Sequence, residues 1–517
     1  MAASAAVKAQ HSSEVKTQFC TKEGCYKSLK FSDYSRPARL ANNASNNIPV
    51  KLSFVTLKGV PEGDCEDKIA FNVGRDMYFY NFRGTKKAPD LNEPIDRRAY
   101  KGPQPTCHDI NMITRTPTSI ELIIGFTAGQ IQLVDPLKRE CRKCFNDERL
   151  IEKGAVTCVK WVPGSESKFL VSYNNPNIYM YDKNLPSIDI EPQLQMIKKG
   201  SGYVVNIMKN KPECNPLCRW SVGLGGINEI CFSPDCKHLA VVSQDGYLRV
   251  FDFEKQELIS SMRSYFGGVL CVCWSPDGRY IVTGGEDDLI TVWSCHEQQV
   301  IARGEGHRSW VNVVSFDAYT TQVKEQMSLN SDDEDYPKNS CNHINNVRKN
   351  ETIVSYRVGS VGDDTQLLLW DISEDILKPE RIRTRSNRGS TLATIQPVLS
   401  YSSQTMKVGN HTKNFKNPLV DSQTTNKYTT YKRHNSQPDP PKLTIDRDDL
   451  ILGSKICPRM NECKKIEPLL AKKIAYDRLS ALVFREDCIV TGTYDGYVHV
   501  WARPNGADAL DVGTLIQ

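Results

Sequence analysis

Long apolar runs are missing from this chain. No stretch approaches the roughly 20 consecutive apolar residues that a bilayer-spanning helix needs. Met1–Glu14 is rich in small residues and has no apolar centre of signal-peptide length. A soluble, intracellular protein without membrane contact is therefore expected. In that setting the 18 cysteines read as reduced thiols. Cys158, Cys231, Cys271 and Cys273 fall inside strand patterns, where cysteine behaves as a small apolar residue.

Excess charge is also lacking. The chain has 66 Lys+Arg against 61 Asp+Glu, a net +5, too even a balance to mark a nucleic-acid or membrane protein. The distribution says more than the sum. Residues 378–447 carry 13 basic and 4 acidic side chains, so this segment is +9 and the remainder −4. It is rich in Ser, Thr, Asn, Gln and Pro and cannot build a core. Phosphate-binding and nucleophile-elbow patterns are absent as well. Cys141-Arg-Lys-Cys144 has the spacing of half a zinc site, but no second Cys or His pair accompanies it, and Cys457 and Cys463 are remote. No metal, no cofactor and no enzymatic activity is expected.

What is present is a repeat. In Ser264–Trp293, Val269–Trp274 alternates, Ser275-Pro-Asp-Gly278 turns, Tyr280–Thr283 runs apolar, and Leu289–Trp293 closes after a Gly/Asp turn. Short strands rich in Val, Ile and aromatics, separated by Pro/Asp/Gly turns, form antiparallel meanders. Gly306-His307 follows, then the alternating run Val311–Phe316. A Gly-His pair before a first strand and a Trp closing a third mark a WD-repeat blade. An Asp precedes a closing aromatic by six residues at Asp245/Phe251, Asp287/Trp293, Asp364/Trp370 and Asp495/Trp501. Degenerate third strands close at Tyr80, Val134 and Tyr181. The count predicts an all-β, seven-bladed WD-repeat propeller, in which radial repetition leaves only short edges exposed. Seven blades account for roughly 300 residues, so the rest are tails and insertions.

In chain order, residues 1–49 read as a mostly flexible tail, and 50–317 as blades one to five and the start of blade six. Residues 183–220 form a long, Pro-containing connection. Residues 318–350 are an acidic loop inside blade six, 351–373 complete that blade, 374–465 are a basic, disordered insertion, and 466–517 hold blade seven and the C-terminus. The loop Ser328–Tyr336 reads first as solvated charge. Its functional reading is phosphorylation at Ser331, with acidic residues just downstream. Two segments compete to supply the outer strand of blade seven, Val15–Thr21 and Ala509–Gln517, and the sequence leaves both open.

His307 invites a catalytic or metal-binding role. At a repeat position it is instead expected in a buried polar chain with Ser355, Asp364 and Trp370, worth having only if every member is satisfied. Asp245, Asp287 and Asp495 are then turn residues. Function is left to the surface. In a WD blade the loop leading into the first strand and the turn before the third emerge on one face. Aligning Val269 with Val311 sets Phe266 opposite Arg308 and Gly268 opposite Trp310. Phe266 and Trp310 should share one rim, with Tyr265, Arg308 and Glu286 beside them. Burial under their own loops is the competing placement for the aromatics. Gly267-Gly268 offer no side chain to cover Phe266, and exposed aromatics with Arg are the types that anchor protein interfaces.

The runs Ser264–Gly278, Gly284–Trp293, Tyr100–Asp109, Cys158–Ser167 and Glu486–Thr491 resemble the WD repeat-containing protein 20 and dystrophia myotonica WD-repeat protein family. The likeness spans all seven blades and fades in the N-terminal tail, the acidic loop and 378–447. The resemblance implies a non-catalytic partner that binds ubiquitin-specific proteases of the 12/46 type, together with a second WD-repeat activator, and raises their activity allosterically. It also implies that the Phe of Tyr-Phe-Gly-Gly and the Trp of the Gly-His loop touch the protease, here Phe266 and Trp310. A cytoplasmic and nuclear location is expected. A cullin-type ligase receptor is the rival reading, but Trp370-Asp-Ile-Ser lacks the Arg, and Trp501-Ala-Arg the Asp, of the usual Trp-Asp-x-Arg. Nucleic-acid binding through the basic segment ranks last, because few aromatics (Phe415, Tyr428, Tyr431) interleave its charges.

Overall fold

A computed structural model describes residues 14–29, 48–61, 65–85, 92–188, 190–209, 213–325, 351–377 and 451–504. The chain opens with a hairpin, β1 (Gln18–Thr21) and β2 (Gly24–Ser28). Blade one is β3 (Leu52–Thr56), β4 (Asp67–Val73), β5 (Asp76–Asn81) and β6 (Asp96–Ala99). Blade two is β7 (Pro105–Ile110), β8 (Leu122–Phe126), β9 (Ile131–Asp135) and β10 (Glu140–Phe145). Blade three holds β11 (Val156–Trp161), β12 (Lys168–Tyr173) and β13 (Asn177–Asp182). The long connection after it is itself folded. β14 (Leu194–Gly200) and β15 (Tyr203–Met208) form a hairpin that pairs outside the blade's fourth strand, β16 (Cys218–Val222).

Blade four is β17 (Ile227–Phe232), β18 (His238–Ser243), β19 (Tyr247–Asp252) and β20 (Glu257–Arg263). Blade five is β21 (Val269–Trp274), β22 (Tyr280–Gly285), β23 (Leu289–Ser294) and β24 (Gln299–Glu305). Blade six has two long strands, β25 (Val311–Glu325) and β26 (Glu351–Gly362), then β27 (Gln366–Ser373) and the single-turn helix α1 (Glu374–Leu377). β28 (Lys464–Ile466) runs parallel to β24 outside blade five, and β29 (Leu470–Lys473) completes blade six. Blade seven is β30 (Leu479–Phe484), β31 (Cys488–Thr493) and β32 (Val498–Ala502). All seven predicted third strands are present, as β5, β9, β13, β19, β23, β27 and β32.

Each blade buries apolar side chains of both faces against its neighbours. Trp293 packs between blades four and five, Trp370 between five and six, and Trp501 between six and seven. Another cluster joins Val490 and Val500 of blade seven to Phe71 and Tyr80 of blade one and closes the circle. The three tryptophans are fully buried, and each contributes about 2–3 kcal/mol of transfer free energy.

Several expectations are corrected. The outer strand of blade seven is β2, just beyond the Val15–Thr21 segment, with Lys27 opposite Ala502 and Ser28 opposite Trp501; Ala509–Gln517 lies outside the described residues. The N-terminal stretch is thus partly a folded strand pair. Its aromatic alternation is the reason: Phe19 stacks on Tyr26 at 4.9 Å, and Phe19 lies 5.6 Å from Trp501. Cys20 and Cys25, facing each other across this hairpin, form a disulfide rather than the expected reduced thiols. The loop placed at 318–350 starts later, because β25 continues to Glu325. The insertion placed at 374–465 is too wide at both ends. It excludes α1, and residues 451–463 with β28 pack on blade five. Ser331 and residues 378–450 lie outside the described residues.

A candidate protein-interaction rim

The loops leading into the first strands meet the turns before the third strands, so both lie on one face. In blade six, His307 Nδ1 is 2.9 Å from Asp364 Oδ2, and its Nε2 is 2.7 Å from Ser360 Oγ. Trp370 Nε1 donates to the same hydroxyl at 2.8 Å. The Arg308 amide donates to Asp364 Oδ2 at 3.0 Å. Burial raises the Asp364 carboxyl, but the His307 contact and backbone donors outweigh it and hold the group below its ordinary range.

The serine of this chain is Ser360, not Ser355. Val358 pairs with Trp370, so the residue two steps toward the rim, Ser360, meets the indole nitrogen. Ser355 pairs with Ser373, beyond the tryptophan on the other side. Blade seven repeats the tryptophan–hydroxyl contact, Trp501 Nε1 donating to Thr491 Oγ1 at 3.1 Å, with Ala475 in the place of the histidine. In blade five Tyr265 stands where blade six has His307, and Trp293 Nε1 has no partner among the described residues.

The remaining turn aspartates accept from their own turns, and Asp245 and Asp287 also accept from the leading loops, Asp245 from the Leu224 amide at 3.1 Å. Asp245 accepts from Ser243 Oγ at 2.6 Å and from Arg249 at 2.8 Å. Asp495 accepts from Thr493 Oγ1 at 2.5 Å. Asp287 accepts the Tyr265 amide at 3.0 Å, and burial pushes its carboxyl up to about 6.

These anchors hold two loops from below and leave their tips bare. In blade five, Ser264 Oγ donates to the Gly267 carbonyl at 2.6 Å, and the Gly268 amide donates to Glu286 Oε2 at 2.9 Å. Gln244 of the neighbouring blade donates to Glu286 Oε1 at 2.6 Å. Glu286 therefore lies beside Phe266, as aligned, with both carboxylate oxygens engaged in holding the loop. Gly267 sits at φ 63°, and a Cβ there would meet the Glu286 side chain at 2.7 Å, so glycine is required. Phe266 is 72 % exposed and Tyr265 41 %. In blade six the Asp363 amide donates to the Trp310 carbonyl at 2.9 Å. Trp310 is 47 % exposed, and Arg308 is exposed beside it.

Two further side chains share the register of Phe266, three residues before a first strand: Leu224 before Ile227, 51 % exposed, and Tyr476 before Leu479, 87 % exposed. The match of Leu224-Gly-Gly-Ile227 to Phe266-Gly-Gly-Val269 is a sequence signal for the first. Nothing comparable flags Tyr476. Cys141 and Cys144 are exposed on β10, and no group of three or more metal-ligating side chains occurs among the described residues.

Comparison with known proteins agrees with this architecture. A family model described as WD domain, G-beta repeat matches residues 256–294, and one described as anaphase-promoting complex subunit 4 WD40 domain matches 222–274. The chain is 42 % identical to WD repeat-containing protein 20 of Mus musculus, covering 96 % of this chain and 97 % of that one. It is 33 % identical to the WD repeat-containing protein 20 homolog of Caenorhabditis elegans, covering 95 % and 83 % respectively. Among solved structures, a chain of the mitotic checkpoint complex covers 91 % of this chain at 9 % identity and a TM-score of 0.46, too distant to bear on fold or function. With near-full-length identity of this order and seven closed blades, the chain belongs to the WD repeat-containing protein 20 family.

Proposed function

We propose that this propeller is a non-catalytic scaffold whose rim binds and activates a ubiquitin-specific protease of the 12/46 type, in a complex with a second WD-repeat activator. The observation that carries it is the pair Phe266 and Trp310, the first largely and the second half exposed, on the leading loops of adjacent blades. Large rings on backbone already fixed by hydrogen bonds lose little entropy on binding, and such rings dominate interface energies. Family membership favours protein partners, and the 12/46-type protease is the partner that the family resemblance implies. Activation needs no catalytic group from the propeller: a ligand that binds the active form of an enzyme better shifts it toward that form.

The test is reconstitution with purified protease. Phe266→Ala and Trp310→Ala should each weaken binding by about tenfold or more, as truncated interface anchors do. Stimulation of ubiquitin cleavage should fall in parallel. Melting midpoints should stay near wild type, because neither ring is buried. Undiminished stimulation by the double variant overturns the proposal.

A further inference from the structure

We infer that residues 451–463 are a positioning strap for the Phe266 loop, acting through Arg303; the binding part of this inference rests on the function proposed above. The strap lies along the outer side of blade five. Its Lys455 carbonyl accepts the Val300 amide at 3.0 Å, and its Ile456 carbonyl accepts the Arg263 amide at 3.1 Å. Cys457, 3 % exposed, lies with Sγ 3.6 Å from the Ser264 carbonyl, the first residue of the loop.

Arg303 joins the strap to the loop. It is fully buried, and its charge acts on the Asp287 carboxyl in the turn of the same blade. Its guanidinium donates to the Pro458 carbonyl at 2.6 Å and approaches Cys457 Sγ at 3.8 Å. The group also lies over the Tyr265 ring, 5.1 Å from the centroid. Nε has no hydrogen-bond partner among the described residues. Burying a cation this way is costly. What offsets the cost is the Asp287 charge, together with contact with a strap carbonyl and with the ring next to Phe266. The strap thus fixes Tyr265 and Ser264, and Phe266 stands between fixed neighbours. Arg303 is a positioning residue; it touches no partner itself.

The experiment uses the full chain and purified 12/46-type protease as the probe. Arg303→Met keeps the length and removes the donors; Cys457→Ala is the milder second variant if the first folds poorly. Amide hydrogen exchange at residues 265–268 should rise about tenfold in either variant, while the amides of β22 keep wild-type protection. Protease affinity should fall about tenfold. In a Phe266→Ala background the same substitution should cost less than about twofold, because a residue acting through Phe266 loses its effect when that ring is gone. A merely structural contribution would add in full in both backgrounds. Unchanged loop exchange, or full additivity, overturns the strap assignment. If Phe266→Ala itself leaves affinity untouched, the proposed function fails, and the exchange measurement alone decides the strap.

Discussion

At the scale of single residues, the register of a strand decides which of two similar side chains matters. Ser360 serves both His307 and Trp370, whereas Ser355 lies beyond the tryptophan. Ser360→Ala should cost about 2 kcal/mol, because it strands buried polar groups. Ser355→Ala should stay within about 0.5 kcal/mol. Urea unfolding of the two variants separates them.

Asp287 gives the pH counterpart. Its carboxyl is held at about 6 by burial, so the fold favours the neutral acid. The stability tied to that proton is complete below the unfolded value of about 4 and is lost as pH rises through 6. Asn in its place carries no charge and keeps one acceptor, for the Tyr265 amide at 3.0 Å, while its NH2 faces the Leu289 amide that the second carboxylate oxygen now accepts at 3.3 Å. The lost acceptor sets a pH-independent offset, and on top of it the difference between Asp287→Asn and wild type should move in the variant's favour by ~2 kcal/mol as pH rises from 4 to 7. Denaturant unfolding across that range, with a constant difference between the two proteins, would contradict the burial argument. The rim residues were legible at this scale because Gly-Gly and Gly-His mark fixed places in the repeat. Ser355 was mistaken for Ser360 because two serines five residues apart fit the same pattern until strand pairing chooses.

At the scale of elements, the N-terminal hairpin is held by its aromatics and by one buried cation. Arg357, 2 % exposed, donates to Glu23 Oε1 at 2.9 Å in the hairpin turn and to Asp371 Oδ2 at 2.9 Å in β27. Phe19 is 3 % exposed between Tyr26 and Trp501. Phe19→Ala should cost about 3 kcal/mol, in the range for a buried aromatic truncated to a cavity. Lys22→Ala, which removes a half-exposed ion pair with Asp371, should cost less than about 1 kcal/mol. Guanidinium unfolding measures both. Elements with repeat signatures were readable from sequence. The hairpin was legible only as a candidate strand at Val15–Thr21, and the β14–β15 extension and the strap not at all, because they are single additions with no periodicity, and the strap meets Arg303 across 155 residues.

For the whole molecule, closure is the governing fact. β2 covers β32, and the cluster joining blades seven and one completes the circle. Removing residues 1–28 would leave β32 as a bare edge, and unpaired edges recruit other chains. The truncated protein should melt at a lower temperature than any single hairpin variant and should self-associate with rising concentration. Calorimetry and size-exclusion chromatography check the two outcomes, and a monomer with an unchanged midpoint would refute the closing role of the hairpin.

The repeat in the sequence determined the class of fold, the number of blades and the two loops that carry Phe266 and Trp310. Those features depend on local alternation and turn chemistry, which neighbouring residues encode. Tertiary structure decided which terminus closes the ring, which serine meets His307, and what lies behind Tyr265. Each of these is a choice among distant segments of similar local character, settled by which pairing buries aromatic rings and satisfies buried donors at once.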